Sequence, residues 1–169
     1  QAQGRERDFL KKLPFDIFTK IIDDALPYGL DTVSLHGSGE PTLSKDMPKF
    51  VSYIKKKGVK CVSFTNGSRL TPNLSRGLIE AGIDVLRITC IGYDRASYAR
   101  WMSVDIFDEV RDNVKLFVDL NREIGGQSEV HIHHLITDIV KKDEEIKMYR
   151  KNWSDYTGAK SEIWLMHNW

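Results

Sequence analysis

Three short polar segments of this chain carry residue types suited to holding a charged ligand. The first is His36-Gly37-Ser38-Gly39-Glu40-Pro41-Thr42-Leu43. Its glycines let a ligand approach the main chain and free N–H and C=O groups to contact it. Pro41 restricts the preceding Glu40 toward an extended conformation. Such a loop suits an ammonium group, taken between the carboxylate and backbone carbonyls so that charge reinforces directional hydrogen bonding. The plain alternative is a tight turn with Glu40 solvated. The other two segments are Thr65-Asn66-Gly67-Ser68 and Thr89-Cys90-Ile91-Gly92-Tyr93-Asp94.

A fourth segment, His131-Ile132-His133-His134, places His131 and His133 on one face of a strand and His134 on the other. Two imidazoles on one face can begin a metal site, so one reading is a His-ligated zinc hydrolase on a barrel. His36 and His167 are candidate third ligands, although no fixed spacing marks them. The other reading has the histidines lining a polar interior and contacting a cofactor or substrate. Arg100, beside Trp101, faces a ligand carboxylate or is a surface helix residue.

These segments need elements to position them. Five β-rich runs, at 32–36, 60–65, 85–91, 129–136 and 162–166, start about 24 to 45 residues apart. Helical stripes fill the intervals: Met47, Phe50, Val51 and Ile54; Leu74, Leu78 and Ile79; Ile106, Phe107, Val110, Val114 and Phe117; and a weaker one around Ile146 and Tyr149. Another stripe, Phe15, Phe18, Ile21, Ile22 and Ala25, precedes the first run. A parallel strand requires such a crossover, so the pattern predicts an α/β protein with a parallel sheet. The density of apolar residues in 85–91 and 130–136 predicts strands covered on both faces. Ligands of parallel sheets gather at the carboxyl ends of the strands, which is where all three glycine-bearing segments fall. Tyr98, Trp164 and Trp169 are expected to pack a barrel end, and Lys55-Lys56-Lys57 to form the solvated end of a helix.

Taken together, Gly-Ser-Gly-Glu-Pro after one strand, Thr-Asn-Gly after the next and Thr-Cys-Ile-Gly after a third resemble the radical S-adenosylmethionine superfamily. The likeness runs from about Leu10 to Met166 and is strongest to the branch whose members often carry extra C-terminal cluster domains. In that family a Gly-Gly-Glu-Pro loop binds the amino group of the methionyl moiety. Here Ser38 replaces the first glycine, while Gly39, Glu40 and Pro41 match. Asn66 and Gly67 match the Thr-Asn-Gly element. Thr89 stands where the family often has Ser, near the ribose and carboxylate, and Ile91 departs from a common Asp. The resemblance implies cofactor contacts by Ser38, Gly39, Glu40, Pro41, Asn66, Thr89, His131 and His133, to which the reading of Arg100 as facing a ligand carboxylate adds that residue; it assigns no catalytic residue and no metal ligand. It also implies a partial parallel (βα) barrel of the radical S-adenosylmethionine type without its first strand. On this view residues 1–169 form a single, N-terminally incomplete domain.

The implied activity is reductive cleavage of S-adenosylmethionine at a [4Fe–4S] cluster, giving a 5′-deoxyadenosyl radical that abstracts a substrate hydrogen. The implied partners are a small-molecule or peptide substrate and an electron donor such as flavodoxin or ferredoxin. Three cysteines normally hold the cluster and leave one iron open. No Cys-x-x-x-Cys-x-x-Cys occurs in this sequence, so the ligating cysteines are expected upstream of Gln1 and the fragment alone is expected to be inactive. A cluster-less binding or scaffold domain is the non-catalytic alternative.

Composition narrows the remaining classes. With 169 residues, the chain is the size of one domain, and an eight-stranded barrel typically needs about 250. Lys+Arg 25 against Asp+Glu 24 gives a net charge of +1, which offers no basic face for nucleic acid or anionic membrane. No apolar run approaches the roughly 18 residues of a membrane span. Cys61 and Cys90 lie in apolar runs, as buried structural cysteines do, and a reducing cytoplasm fits them.

Overall fold

The computed structural model describes residues 13–37 and 39–165. Compact packing divides the chain between Asp31 and Thr32. In the first unit, Pro14 opens helix α1 (Phe15–Ala25), whose Phe18 and Ile22 are buried one turn apart. A single 3-10 turn, Leu26–Tyr28, ends this unit's helical structure at Gly29.

The second unit is a parallel sheet. Its strands are β1 (Thr32–Ser34), β2 (Lys60–Thr65), β3 (Val85–Thr89), β4 (Glu129–Ile136) and β5 (Lys160–Leu165), in that spatial order. Every neighbouring pair is parallel, as the crossover spacing requires. Helices α2 (Met47–Lys56), α3 (Pro72–Glu80), α4 (Arg95–Met102), α5 (Phe107–Glu123), α6 (Lys142–Tyr149) and the short α7 (Asp155–Thr157) fill the intervals. The boundaries follow local chemistry. Pro72 and the Thr71 hydroxyl, which accepts from Leu74 N–H, start α3. The α4 helix has no marked apolar stripe. It starts because Asp94 and Ser97 form a reciprocal capping box.

The expectation of strands covered on both faces holds only in part. Burial along β4 alternates strictly, because one face of the sheet is fully packed, while on the other, among the described strand residues, only Val62 and Val85 are buried. Cys61, Ser63 and Thr65 of β2, Leu86 and Ile88 of β3, and Val130, Ile132, His134 and Ile136 of β4 lie buried on that face. The register puts Phe64, Arg87, His131 and Lys160 in one row of the other face, and Thr89, His133 and Glu162 in the next. Beyond Val62 and Val85 that face is polar and partly exposed, so the charges within the strands mark its less packed side.

Two further expectations change. Tyr98 does not stack with Trp164 but joins Phe107 and Trp153, with ring centroids 5.8 Å from each. Trp164 is half-exposed and lies edge-on to His133 at 4.1 Å; Trp169 falls outside the described residues. Lys55 is not a free solvated cation, since its Nζ reaches both Asp84 carboxylate oxygens at 2.7 and 2.8 Å.

Candidate functional site

Glu40 lies between the carboxyl ends of β1 and β2 and is not merely solvated. Its carboxylate caps a 3-10 turn, Pro41–Leu43, and accepts from Thr42 N–H at 3.0 Å. The same oxygen, Oε1, accepts from the Thr42 hydroxyl at 2.5 Å and the Thr65 hydroxyl at 2.6 Å. The second oxygen, Oε2, accepts from Asn66 N–H at 2.7 Å. One carboxylate thus ties the first glycine-bearing loop to the second.

The second loop is rigid for a separate reason. Gly67 has φ +77°, and a Cβ there would lie 3.0 Å from both Ile88 Cγ2 and Val110 Cγ1. Asn113 of α5 holds the Gly67 carbonyl at 3.1 Å. The Asn66 side-chain oxygen is spent on Ser68 N–H at 2.9 Å, which leaves its amide nitrogen for a ligand. Among the described residues, Gly39 has no atom within 4 Å of where a Cβ would stand, which leaves an open approach to its main chain.

The third loop is tied down from behind. Gly92 has φ +124°, and a Cβ there would collide with the Tyr98 backbone. Gly92 N–H donates to His134 Nδ1 at 3.2 Å, so the ring proton sits on Nε2 and is donated to Glu145 Oε1 at 2.9 Å. Glu145 also accepts from the Thr137 N–H and hydroxyl and from Asp138 N–H. Burial is the main influence on His134 and pulls its pKa down against the opposing effect of Glu145. The imidazole is neutral, and it fixes the rims of β3 and β4.

The polar face holds an ionic row. Arg87 Nε lies 3.2 Å from Glu162 Oε2 and its guanidinium lies over the Phe64 ring at 5.4 Å. His131 Nε2 meets Glu129 Oε2 at 3.1 Å, and its Nδ1 is 2.7 Å from Glu162 Oε1, close enough for an ion pair but not aligned as a hydrogen bond. His131, and behind it Lys160, hold the Glu129 carboxyl below the usual carboxylate range. His133, in register with Thr89, has an Nε2 shielded from solvent with no partner among the described residues. Burial is the first cause lowering its pKa.

The expected site residues therefore separate. Glu40 and Asn66 are joined through the Glu40 carboxylate, with Gly39 and Pro41 adjacent. Thr89 and His133 share one row, and His131 lies one step down the sheet. Arg100 stands apart: it is exposed on α4, with its guanidinium 5.7 Å over the Trp101 ring. Ser38 lies outside the described residues. Thr42, Thr65, Arg87 and Glu162 were not anticipated. Arg87 had a signal, a lone charge inside Val85-Leu86-Arg87-Ile88, which alternation assigns to the open face.

The chemistry of the donor set fits S-adenosylmethionine at its amino group. Among the described residues Oε2 of Glu40 has one donor, and a carboxylate oxygen can take a second from an ammonium. Among the described residues the zinc arrangement is not formed. His131 is paired with two carboxylates, His36 accepts or donates at Ser34 Oγ at 2.7 Å, and His167 lies outside the described residues. Among the described residues no group of three His, Cys, Asp or Glu side chains is placed to hold a metal ion. The two cysteines do not fit a cluster. Both are buried on the packed face, and burial pushes the Cys61 thiol up to about 12 and the Cys90 thiol well above its ordinary value.

A parallel βα sheet with a Gly-Glu-Pro loop and an Asn-Gly loop side by side is the architecture of a radical S-adenosylmethionine protein. Residues 2–148 match the model of the Radical SAM superfamily, and the chain belongs to that family of enzymes. It is 33% identical over 120 residues to a probable GTP 3′,8-cyclase of Saccharolobus solfataricus, covering 70% of this chain and 38% of the relative. It is 31% identical over 91 residues to an Fe-coproporphyrin III synthase of Methanosarcina barkeri, covering 54% of this chain and 23% of that one. Among solved structures, Streptococcus suis SuiB bound to S-adenosylmethionine matches with a TM-score of 0.70 at 17% identity, over 94% of this chain and 35% of SuiB. The last likeness shows the fold. The chain spans less than half the length of these curated relatives.

Proposed function

We propose that this chain is the cofactor-holding part of a radical S-adenosylmethionine enzyme and that residues 1–169 belong to one catalytic domain. When bound, S-adenosylmethionine reduced at a [4Fe–4S] cluster supplies a 5′-deoxyadenosyl radical that removes a substrate hydrogen. The chain's own residues bind and orient. Glu40 takes the amino group on Oε2. Gly39 offers an unobstructed main chain. The Asn66 amide and the Thr89 hydroxyl reach the rest of the methionyl and ribose portion from the neighbouring loops. His133, neutral because it is shielded, offers a hydrogen-bonding nitrogen beside Thr89, and His131 lies deeper in the same face.

The observation that carries this reading is the asymmetry of the Glu40 carboxylate, which among the described residues has three donors on Oε1 and one on Oε2. The substrate is a small molecule or a peptide. SuiB has been crystallised with its precursor peptide SuiA, and the cyclase and synthase relatives are named for small molecules. A flavodoxin or ferredoxin is the proposed electron donor and the cytoplasm the proposed location, consistent with two free buried cysteines. No helix among the described residues is long and apolar enough to cross a membrane.

The test is calorimetry on the intact, cluster-loaded protein. A hydrogen bond to a charged group is worth about 1.5–3 kcal/mol, so Glu40→Gln weakens S-adenosylmethionine binding about 10- to 150-fold. Equal affinity for wild type and Glu40→Gln removes Glu40 from the ligand and returns the loop to a turn.

A further inference from the structure

We propose that Thr65 is a positioning residue for this site: its hydroxyl, with that of Thr42, occupies one oxygen of Glu40 so that the other is presented to the ligand's ammonium group. This rests on the reading of Glu40 given above and adds the device that orients its carboxylate.

The direction of each hydrogen bond is fixed by its neighbours. Gly67 N–H donates to Thr65 Oγ1 at 3.1 Å. The hydroxyl is therefore an acceptor on that side, and its single proton goes to Glu40 Oε1 at 2.6 Å. Thr42 reaches the same oxygen through both its N–H and its hydroxyl. The two threonine oxygens are 3.3 Å apart, a contact that follows from both pointing at one acceptor. Thr42 and Thr65 are 4% and 3% exposed, so water does not replace either donor. With three donors, Oε1 is full. The carboxylate cannot exchange its oxygens without breaking these bonds, and among the described residues Oε2 has no donor beyond Asn66 N–H.

Threonine suits the task because its branched Cβ restricts χ1. The orientation also has an origin outside the loop. Asn113 of α5 holds the Gly67 carbonyl, and Gly67 packs without a Cβ against Ile88 and Val110. Helix, second loop, Thr65 and Glu40 thus form one hydrogen-bonded series ending at the ligand. Without it, the ligand would have to order the Glu40 side chain on binding.

The test uses calorimetry on the intact, cluster-loaded protein with two probes, S-adenosylmethionine and its analogue lacking the amino group. Ordering one flexible side chain corresponds to about 2- to 12-fold in affinity. Thr65→Val is expected to weaken S-adenosylmethionine by that factor and to leave the analogue unchanged, and Thr65→Ser to restore the wild-type value within about twofold. If wild type binds both probes equally, the ammonium reading of Glu40 falls, and the proposal with it. If wild type discriminates but Thr65→Val weakens both probes equally, or neither, Thr65 only supports the fold and the proposal is overturned. Should Thr65→Val not fold, Thr42→Val removes another hydroxyl from the same oxygen and is read by the same criteria.

Discussion

Replacing Gly67 by alanine tests the rigidity on which the whole site depends. Gly67 has φ +77°, and an added Cβ meets Ile88 Cγ2 and Val110 Cγ1 at 3.0 Å. The left-handed conformation costs a residue with a Cβ about 1–2 kcal/mol. Forcing a methyl into a packed contact costs about 1–3 kcal/mol more. Ile88 and Val110 are both fully buried, so neither can swing aside into solvent. The expected destabilisation is therefore about 2–5 kcal/mol. For a domain of this size each kcal/mol lowers Tm by about 2–4 °C, which predicts a fall of about 4–20 °C. Thermal unfolding of the intact protein followed by circular dichroism reads this directly. The matched control is Gly39→Ala, where no atom lies within 4 Å of the new methyl. It is expected to hold Tm within about 1 °C while weakening S-adenosylmethionine by obstructing the open main chain. If Gly67→Ala melts within about 2 °C of wild type, the loop is not packed against Ile88 and Val110 as described, and the series that orients Glu40 loses its anchor.

Acid stability and thiol reactivity give two further tests. His134 is buried with its pKa lowered, so the unfolded chain binds a proton that the folded one refuses. Its contribution is complete above the unfolded value near 6.5 and is lost as pH falls below it, by at most about 1.4 kcal/mol per pH unit. Urea unfolding between pH 7.5 and 5 should show this slope in wild type and a flatter one in His134→Gln; equal slopes would show that His134 does not carry the effect. For the thiols, Cys61 stands at about 12 and Cys90 well above its ordinary value, both fully buried. An aromatic disulfide reagent at pH 8 should modify neither until the protein is unfolded, and rapid labelling of native protein would contradict the burial.

The family and the parallel sheet were legible in the sequence because they depend on local patterns. The intervals between β-rich runs force crossovers, and Glu40-Pro41 and Asn66-Gly67 sit at strand ends wherever those strands end. Strands β2 and β4 run over 60–65 and 129–136, as the apolar pattern predicts. The periodicity also separated His134 from His131 and His133, since alternation along a strand is a property of the chain itself.

What the sequence did not reveal depends on partners distant in the chain. Arg87 and Glu162 are 75 residues apart and meet because of the β3–β4–β5 register. Thr65 and Glu40, separated by 25 residues, meet because β1 and β2 end side by side. Whether a strand is covered on one face or two was equally out of reach. An apolar run reports that residues prefer burial, while the number of layers stacked on a sheet is a global property. Sequence alone thus determined that a glutamate would stand at the carboxyl edge of a parallel sheet. Only the tertiary structure decided which of its two oxygens is left with fewer donors, because that depends on hydroxyls and amides that folding brings to it from another strand.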